Sequence, residues 1–176
     1  MTLIEEKKAF RKKMKSVIRE IPDKMARSEG LVSEIAHDQR FLDAKTIMSF
    51  SPLADEVQLQ GFNNIIFKSK TLLLPRINGE HIEVVAYNGE WKREETYGIL
   101  EPTGPVFTSY RDIDIILVPG LAFDKHMNRL GRGKAYYDRF LPNTQAIKIG
   151  VCFAEQYFDF IPAGKSDIRM DNVITV

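Results

Sequence analysis

Along the first stretch of the chain Phe10, Met14, Val17, Ile18 and Ile21 recur at helical spacing, and Lys7, Lys8, Arg11, Lys12, Lys13 and Lys15 occupy positions between them. Side chains three and four apart share a helix face, so the pattern predicts one amphipathic helix with a basic outer surface. Pro22 and Asp23 interrupt it and open a second helix, whose face of Leu31, Val32 and Ile35 runs to about His37. The rhythm then changes. Residues 46–50, 71–74, 82–86, 113–118, 146–151 and 172–176 are short apolar or β-branched runs bounded by turn formers, which is how strands read. Segments of helical character, 55–68 and 134–141, lie between several of them. Such alternation gives a largely parallel sheet, so the expected class is α/β, in one domain over 1–176. Residues 88–109 carry Gly89, Gly98, Pro102, Gly104 and Pro105 without clean periodicity, as binding loops often do.

Charge narrows the function classes. Twenty-five Lys and Arg oppose 24 Asp and Glu, for a formal net charge of +1, so no global field gathers nucleic acid or an anionic membrane. An anion site must be local. Cys152, the one cysteine, has no partner in the chain for a disulfide and belongs to no thiolate zinc pattern, which suits a reducing compartment. The charged first 19 residues are neither signal peptide nor membrane span, and a soluble cytoplasmic protein is expected.

The chemistry concentrates after the run 113–118. Pro119 and Gly120 lead to Phe123-Asp124-Lys125-His126, and then to Asn128-Arg129-Leu130-Gly131-Arg132-Gly133-Lys134-Ala135-Tyr136-Tyr137-Asp138. Strand, glycine loop and helix start, in that order, place amides and a helix terminus beyond the carboxyl end of a strand, where anions bind in open α/β sheets. Gly131 and Gly133 allow close backbone approach, while Arg129, Arg132 and Lys134 bring three cations within six positions. A polyphosphate is the natural guest. Asn128 stands where a P-loop needs glycine and Ala135 where it needs Ser or Thr, while Tyr136 stands where a dinucleotide fingerprint needs its third glycine; both readings fail. A solvated basic turn remains the plain alternative. Asp138, one helical turn beyond Lys134, suits a magnesium ion beside phosphates, or equally a Lys134–Asp138 helix pair.

The run from Gly120 to Asp138, GLAFDKHMNRLGRGKAYYD, closely resembles the signature of the 5-formyltetrahydrofolate cyclo-ligases. Lys7-Lys8-Ala9-Phe10-Arg11 is similar to that family's amino-terminal basic motif, and Asp55-Glu56 to its acidic pair after the first strand. The resemblance implies a three-layer α/β/α fold like those of sugar-phosphate isomerases and CoA transferases. It also implies conversion of 5-formyltetrahydrofolate into 5,10-methenyltetrahydrofolate at the expense of ATP, with magnesium. Carried over by position, Lys7, Arg11 and the loop Arg129, Leu130, Gly131, Arg132, Gly133, Lys134, Ala135, Tyr136 and Tyr137 would hold ATP, and Arg132 and Lys134 would be catalytic. Phe50, Ser51, Glu56 and Tyr97, with Arg132 to Tyr136 and the ring of Tyr137, would meet the folate, and Asp138 and Asp171 would hold magnesium. Each has a plainer alternative: Lys7 and Arg11 as a solvated face, Phe50 as core, Glu56 as a first-turn acid, Asp171 as a strand-edge acid.

Three positions depart from the family pattern: Ala135 and Met127 stand where glycine is common, and Ser166-Asp167 where a His-Asp pair is frequent. The implied partners are small molecules, without nucleic acid or membrane, and the implied state is a monomer. Two rival readings stay open at this point. One is a nucleic-acid or polyphosphate binding module using the basic helix and loop; the other is a same-fold enzyme acting on a different small substrate.

Overall fold

The computed structural model describes residues 2–93 and 100–176. Helix α1 (Leu3–Glu20) begins at a reciprocal cap: Thr2 Oγ accepts from the Glu5 amide, and the Glu5 carboxylate accepts from the Thr2 amide. It buries Met14 and Ile18. Helix α2 (Lys24–Ile35) buries Leu31 and Ile35, and a short α3 (Gln39–Asp43), which the sequence pattern did not reveal, follows with Phe41 inside. Strand β1 (Thr46–Met48) leads through a loop to α4 (Gln60–Ser69), and the chain continues into β2 (Thr71–Asn78) and β3 (His81–Ala86). An exposed ribbon, β4 (Trp91–Arg93) with β5 (Leu100–Pro102), occupies part of the expected loop 88–109. Then come β6 (Ile115–Pro119), β7 (Ala122–Asp124), β8 (Arg129–Leu130), α5 (Tyr136–Phe140), β9 (Ile147–Cys152), β10 (Tyr157–Phe158) and β11 (Asn172–Thr175).

Six strands form the central sheet in the order β11-β9-β6-β1-β2-β3, all parallel neighbours except the antiparallel β2–β3 pair. Alternation along the strands divides the core in two. Ile47, Leu72, Leu74, Ile115, Leu117, Ile149 and Val151 face the buried sides of α1, α2 and α4. Met48, Leu73, Ile116, Val118 and Cys152 face the other way, toward Phe123, Phe140 and Leu141.

The α/β class and the mostly parallel sheet stand as expected. The second outer layer, however, is thin: among the described residues it contains the five-residue α5 and 3₁₀ turns, with the small sheet β10-β7-β8 alongside. Element bounds also moved. The expected helix 55–68 starts only at Gln60, because Glu56 and Gln58 are engaged in loop hydrogen bonds to Leu53 and Ser28 instead of a helical ladder. That shift leaves residues 51–59 as a loop at the carboxyl end of β1, beside the carboxyl end of β6.

Candidate active site

Parallel strands that end on one edge leave a crevice there. The segment after β6 builds its wall. Phe123 is fully buried, and its ring lies so close to Gly120 and Gly150 that a Cβ at either would approach within 2.7 or 2.5 Å. Those glycines seat the β7–β8 hairpin against the sheet. Asp124, also fully buried, accepts from the amides of His126, Asn128 and Ile161 and from the Asn128 side chain, so the hairpin turn is organised around one carboxylate. Gln156 fastens the near end by donating to the Gly120 and Leu121 carbonyls.

From that anchor the loop 131–135 runs over a cavity of about 160 Å³, lined among others by Glu56, Arg129, Arg132, Lys134, Tyr136 and Tyr137. Ligand pockets commonly span roughly 300–1,000 Å³, so this space is of a size for one ring system. Gly133 has φ +103°, a conformation that glycine adopts without a Cβ penalty. Ala135 (φ 55°) and Met127 (φ 64°), two of the three departures from the family pattern, also have positive φ, so both are strained where glycine would not be.

The amino-terminal helix reaches this loop. Arg11 Nε donates to the Gly131 carbonyl at 2.9 Å, and Lys7 Nζ meets Asp167 at 2.6 Å, 160 residues away. Burial pushes the Asp167 carboxyl up, but the Lys7 ammonium, the Gly164 amide and the charge of Arg129 hold it below the usual carboxylate range. Lys7 and Arg11 are therefore not a solvated face.

Arg129 differs from the other loop cations. It is buried, donating Nη1 to the Pro119 carbonyl at 3.1 Å and Nη2 to Asp138 at 2.9 Å, with its guanidinium over the Tyr137 ring at 5.5 Å. Its position makes it an internal brace, not a side chain free to follow phosphate. Arg132 spans the cavity mouth to Asp55 at 2.6 Å and Glu56 at 3.1 Å, and Lys134 is exposed at the rim. The acidic pair and the basic loop, separated by more than seventy positions, thus form one site.

Glu56 is 9% exposed. Burial pushes its carboxyl above the usual range, against the opposing pull of the Leu53 amide and Arg132. The Tyr137 hydroxyl is buried without a hydrogen-bond partner, and burial together with the Glu56 charge pushes the phenol far up. Tyr136 lines the same cavity, with Arg139 over its ring.

Several expected residues lie elsewhere. Phe50 is buried in the core with its carbonyl held by Asn63, and Leu130 is 1% exposed, so both side chains anchor the site without lining it. Ser51 is exposed beyond β1; Tyr97 lies outside the described residues. Asp171 does not join Asp138. It exchanges hydrogen bonds with the Lys148 backbone and pairs with the Lys148 ammonium at 2.8 Å. Lys148 lies three residues before Val151, the partner of Pro119, about 10 Å down the strands at a normal rise. The acid that meets Lys7 is Asp167, four residues earlier; the sequence reading assigned it no role, and the Ser166-Asp167 departure from the frequent His-Asp pair was the signal that could have found it. The five-residue α5 also has too little dipole to hold an anion by itself, so the anion grip rests on loop amides and side chains.

The family model described as the 5-formyltetrahydrofolate cyclo-ligase family matches residues 3–176. The Mus musculus 5-formyltetrahydrofolate cyclo-ligase is 30% identical over 194 residues, covering 99% of this chain and 95% of the mouse protein. The solution structure of Aquifex aeolicus 5,10-methenyltetrahydrofolate synthetase superposes with a TM-score of 0.84 at 31% identity, covering 96% of this chain and 89% of that one. The Mycoplasma pneumoniae 5,10-methenyltetrahydrofolate synthetase, at 24% identity, shares the fold with a TM-score of 0.74 over 96% of this chain and 98% of its own. The chain belongs to the 5-formyltetrahydrofolate cyclo-ligase family and is a carbon–nitrogen bond-forming ligase.

Proposed function

We propose that this chain converts 5-formyltetrahydrofolate and ATP into 5,10-methenyltetrahydrofolate, ADP and phosphate. The observation that carries the reading is the bridge from Arg132 to Glu56, which joins a basic, glycine-bearing loop to a buried carboxylate across one small cavity. Phosphate chemistry and ring recognition then sit within one side chain's length of each other.

A formamide oxygen is a poor leaving group, so the reaction divides into two displacements. The formyl oxygen attacks the γ-phosphorus and the bond from that phosphorus to ADP breaks. The 10-nitrogen then attacks the formyl carbon, the new carbon–nitrogen bond forms, the carbon–oxygen bond to phosphate breaks, and the 10-nitrogen proton leaves to solvent. No protein nucleophile is needed; alignment and charge are. Lys134 and Arg132 neutralise the transferring oxygens, Lys7 and Arg11 bring the first helix to the phosphate tail, and Gly131 and Gly133 let loop amides approach it. Glu56 accepts from the amino and ring N–H groups of the pterin. Tyr136 offers an aromatic face to the same ring.

A hard divalent ion such as magnesium takes carboxylate oxygens, and Asp138 on the cavity wall and Asp167 beside Lys7 would be the residues to hold it. When bound there, such an ion supplies charge neutralisation to the phosphate oxygens. Asp171 takes no part in this set. The test is appearance of the methenyl product by its absorbance when 5-formyltetrahydrofolate, ATP and magnesium are supplied together. Product formation that needs no nucleotide, or none at all with all three present, overturns the reading.

A further inference from the structure

Resting on that function, we propose that Arg139, outside the cavity, is a positioning residue: its guanidinium ties the loop that presents Lys134 to the tip of the β2–β3 hairpin. Arg139 Nε and Nη2 both donate to the Glu80 carbonyl in that tip, and Nη2 also donates to the Lys134 carbonyl at 3.0 Å. The same guanidinium lies over the Tyr136 ring, 5.6 Å from its centre. A planar fork can stack on a ring and bond in its own plane at once, which an ammonium on a flexible stem cannot. Arg139 does not line the cavity, whereas Lys134, Ala135 and Tyr136 do, so any effect it has on the chemistry passes through them.

The loop needs such a fastening. Among the described residues, no backbone-to-backbone hydrogen bond holds residues 131–134. Arg11 grips the Gly131 carbonyl at one end, and the Arg132 side chain is held by Asp55 and Glu56. At the other end the Lys134 carbonyl has Arg139 as its one partner among the described residues. The peptide it belongs to leads into Ala135, whose φ of 55° is left-handed. An alanine stays in that region only where its surroundings dictate it. Holding that carbonyl fixes the peptide plane before Ala135, and with it the direction in which the Lys134 side chain leaves the loop.

The test is Arg139→Ala. It should lower kcat for methenyl formation about 10- to 100-fold, the scale of misplacing a reacting group by about 1 Å, and leave the KM for ATP within about 3-fold. Arg139 and Glu80 are exposed, so the melting temperature should move by no more than about 4 °C. In a Lys134→Ala background the same substitution should cost under about 3-fold, since the group it positions is already gone. An unchanged kcat, a rise in the KM for ATP in place of the fall in kcat, or a full-sized loss in the Lys134→Ala background overturns the assignment. Trypsin supplies a readout that needs no catalysis: cleavage after Arg132 and Lys134 should quicken several-fold in Arg139→Ala while cleavage at other sites holds. Equal cleavage at the loop, or acceleration everywhere, counts against the fastening. If the wild type makes no methenyl product, the functional reading is what fails, and the tryptic comparison then decides for Arg139 by itself.

Discussion

Arg129 and Lys134 lie in one loop and carry the same charge, yet their environments predict opposite phenotypes. The Arg129 side chain is 5% exposed and makes a charge-assisted bond to Asp138, another to the Pro119 carbonyl, and a ring contact with Tyr137. Arg129→Met keeps the length and removes the donors. Losing a hydrogen bond to a charged group costs about 1.5–3 kcal/mol, and the orphaned Pro119 carbonyl adds about 1–3 kcal/mol. Against this, a buried guanidinium with an unpartnered Nε no longer has to be desolvated, and apolar replacement of buried ion pairs is often neutral or better. The balance is a loss of about 2 kcal/mol, smaller than the sum of the bonds broken. Lys134 is exposed and its ammonium makes no hydrogen bond among the described residues, so Lys134→Ala should stay within about 0.5 kcal/mol of the parent. Its turnover should fall by about 100-fold or more, the scale of removing one transition-state charge partner. Urea titration and steady-state kinetics on the two variants read both quantities. If Arg129→Met unfolds with the parent while its ATP KM rises steeply, Arg129 is a phosphate ligand and the brace is wrong; if Lys134→Ala turns over normally, Lys134 leaves the mechanism.

Three further outcomes follow from the same geometry. Ala135→Gly relieves a left-handed conformation costing about 1–2 kcal/mol in an L-residue, less about 0.5–1 kcal/mol of added chain entropy, so chemical denaturation should show a net gain between about 0 and 1.5 kcal/mol, and a loss would contradict the strain. Asp167→Asn should raise the magnesium concentration needed for half-maximal activity, whereas Asp171→Asn, tied to Lys148 at the far end of the sheet, should leave that requirement alone; the reverse ranking would restore Asp171 as a ligand. Because the folded carboxyl of Asp167 is held below its usual value, its pairing stabilises the protein above the unfolded value near 3.8 and is lost as pH falls through the lower folded value. Melts taken from pH 5 downward should therefore decline less in Asp167→Asn than in the parent, and parallel declines would contradict the pairing.

How much of this was legible in the chain depends on the range of the interaction concerned. Helical spacing from Phe10 to Ile21, the strand runs, and the order strand, glycine loop, cations are local patterns. Local patterns follow from periodicity and backbone sterics, so they identified the α/β class, the loop 129–138 and the first helix without coordinates. The resemblance carried by Gly120 to Asp138 added the family. Boundaries were less legible: nothing local reveals that Gln58 bonds to Ser28, thirty residues back, and so delays α4 to Gln60.

What only the tertiary structure decided is which side chains of equal chemistry share a space. Arg129, Arg132 and Lys134 are alike in sequence; burial makes one a brace, the carboxylates of Asp55 and Glu56 engage the second, and solvent leaves the third at the rim. Asp167 and Asp171 are four positions apart, yet one meets Lys7 at the crevice and the other meets Lys148 at the opposite end of the strands. The physical reason is common to both cases. Charge and hydrogen-bonding capacity belong to the residue, but the dielectric and the partner that turn them into a role are set by chain segments far away in sequence.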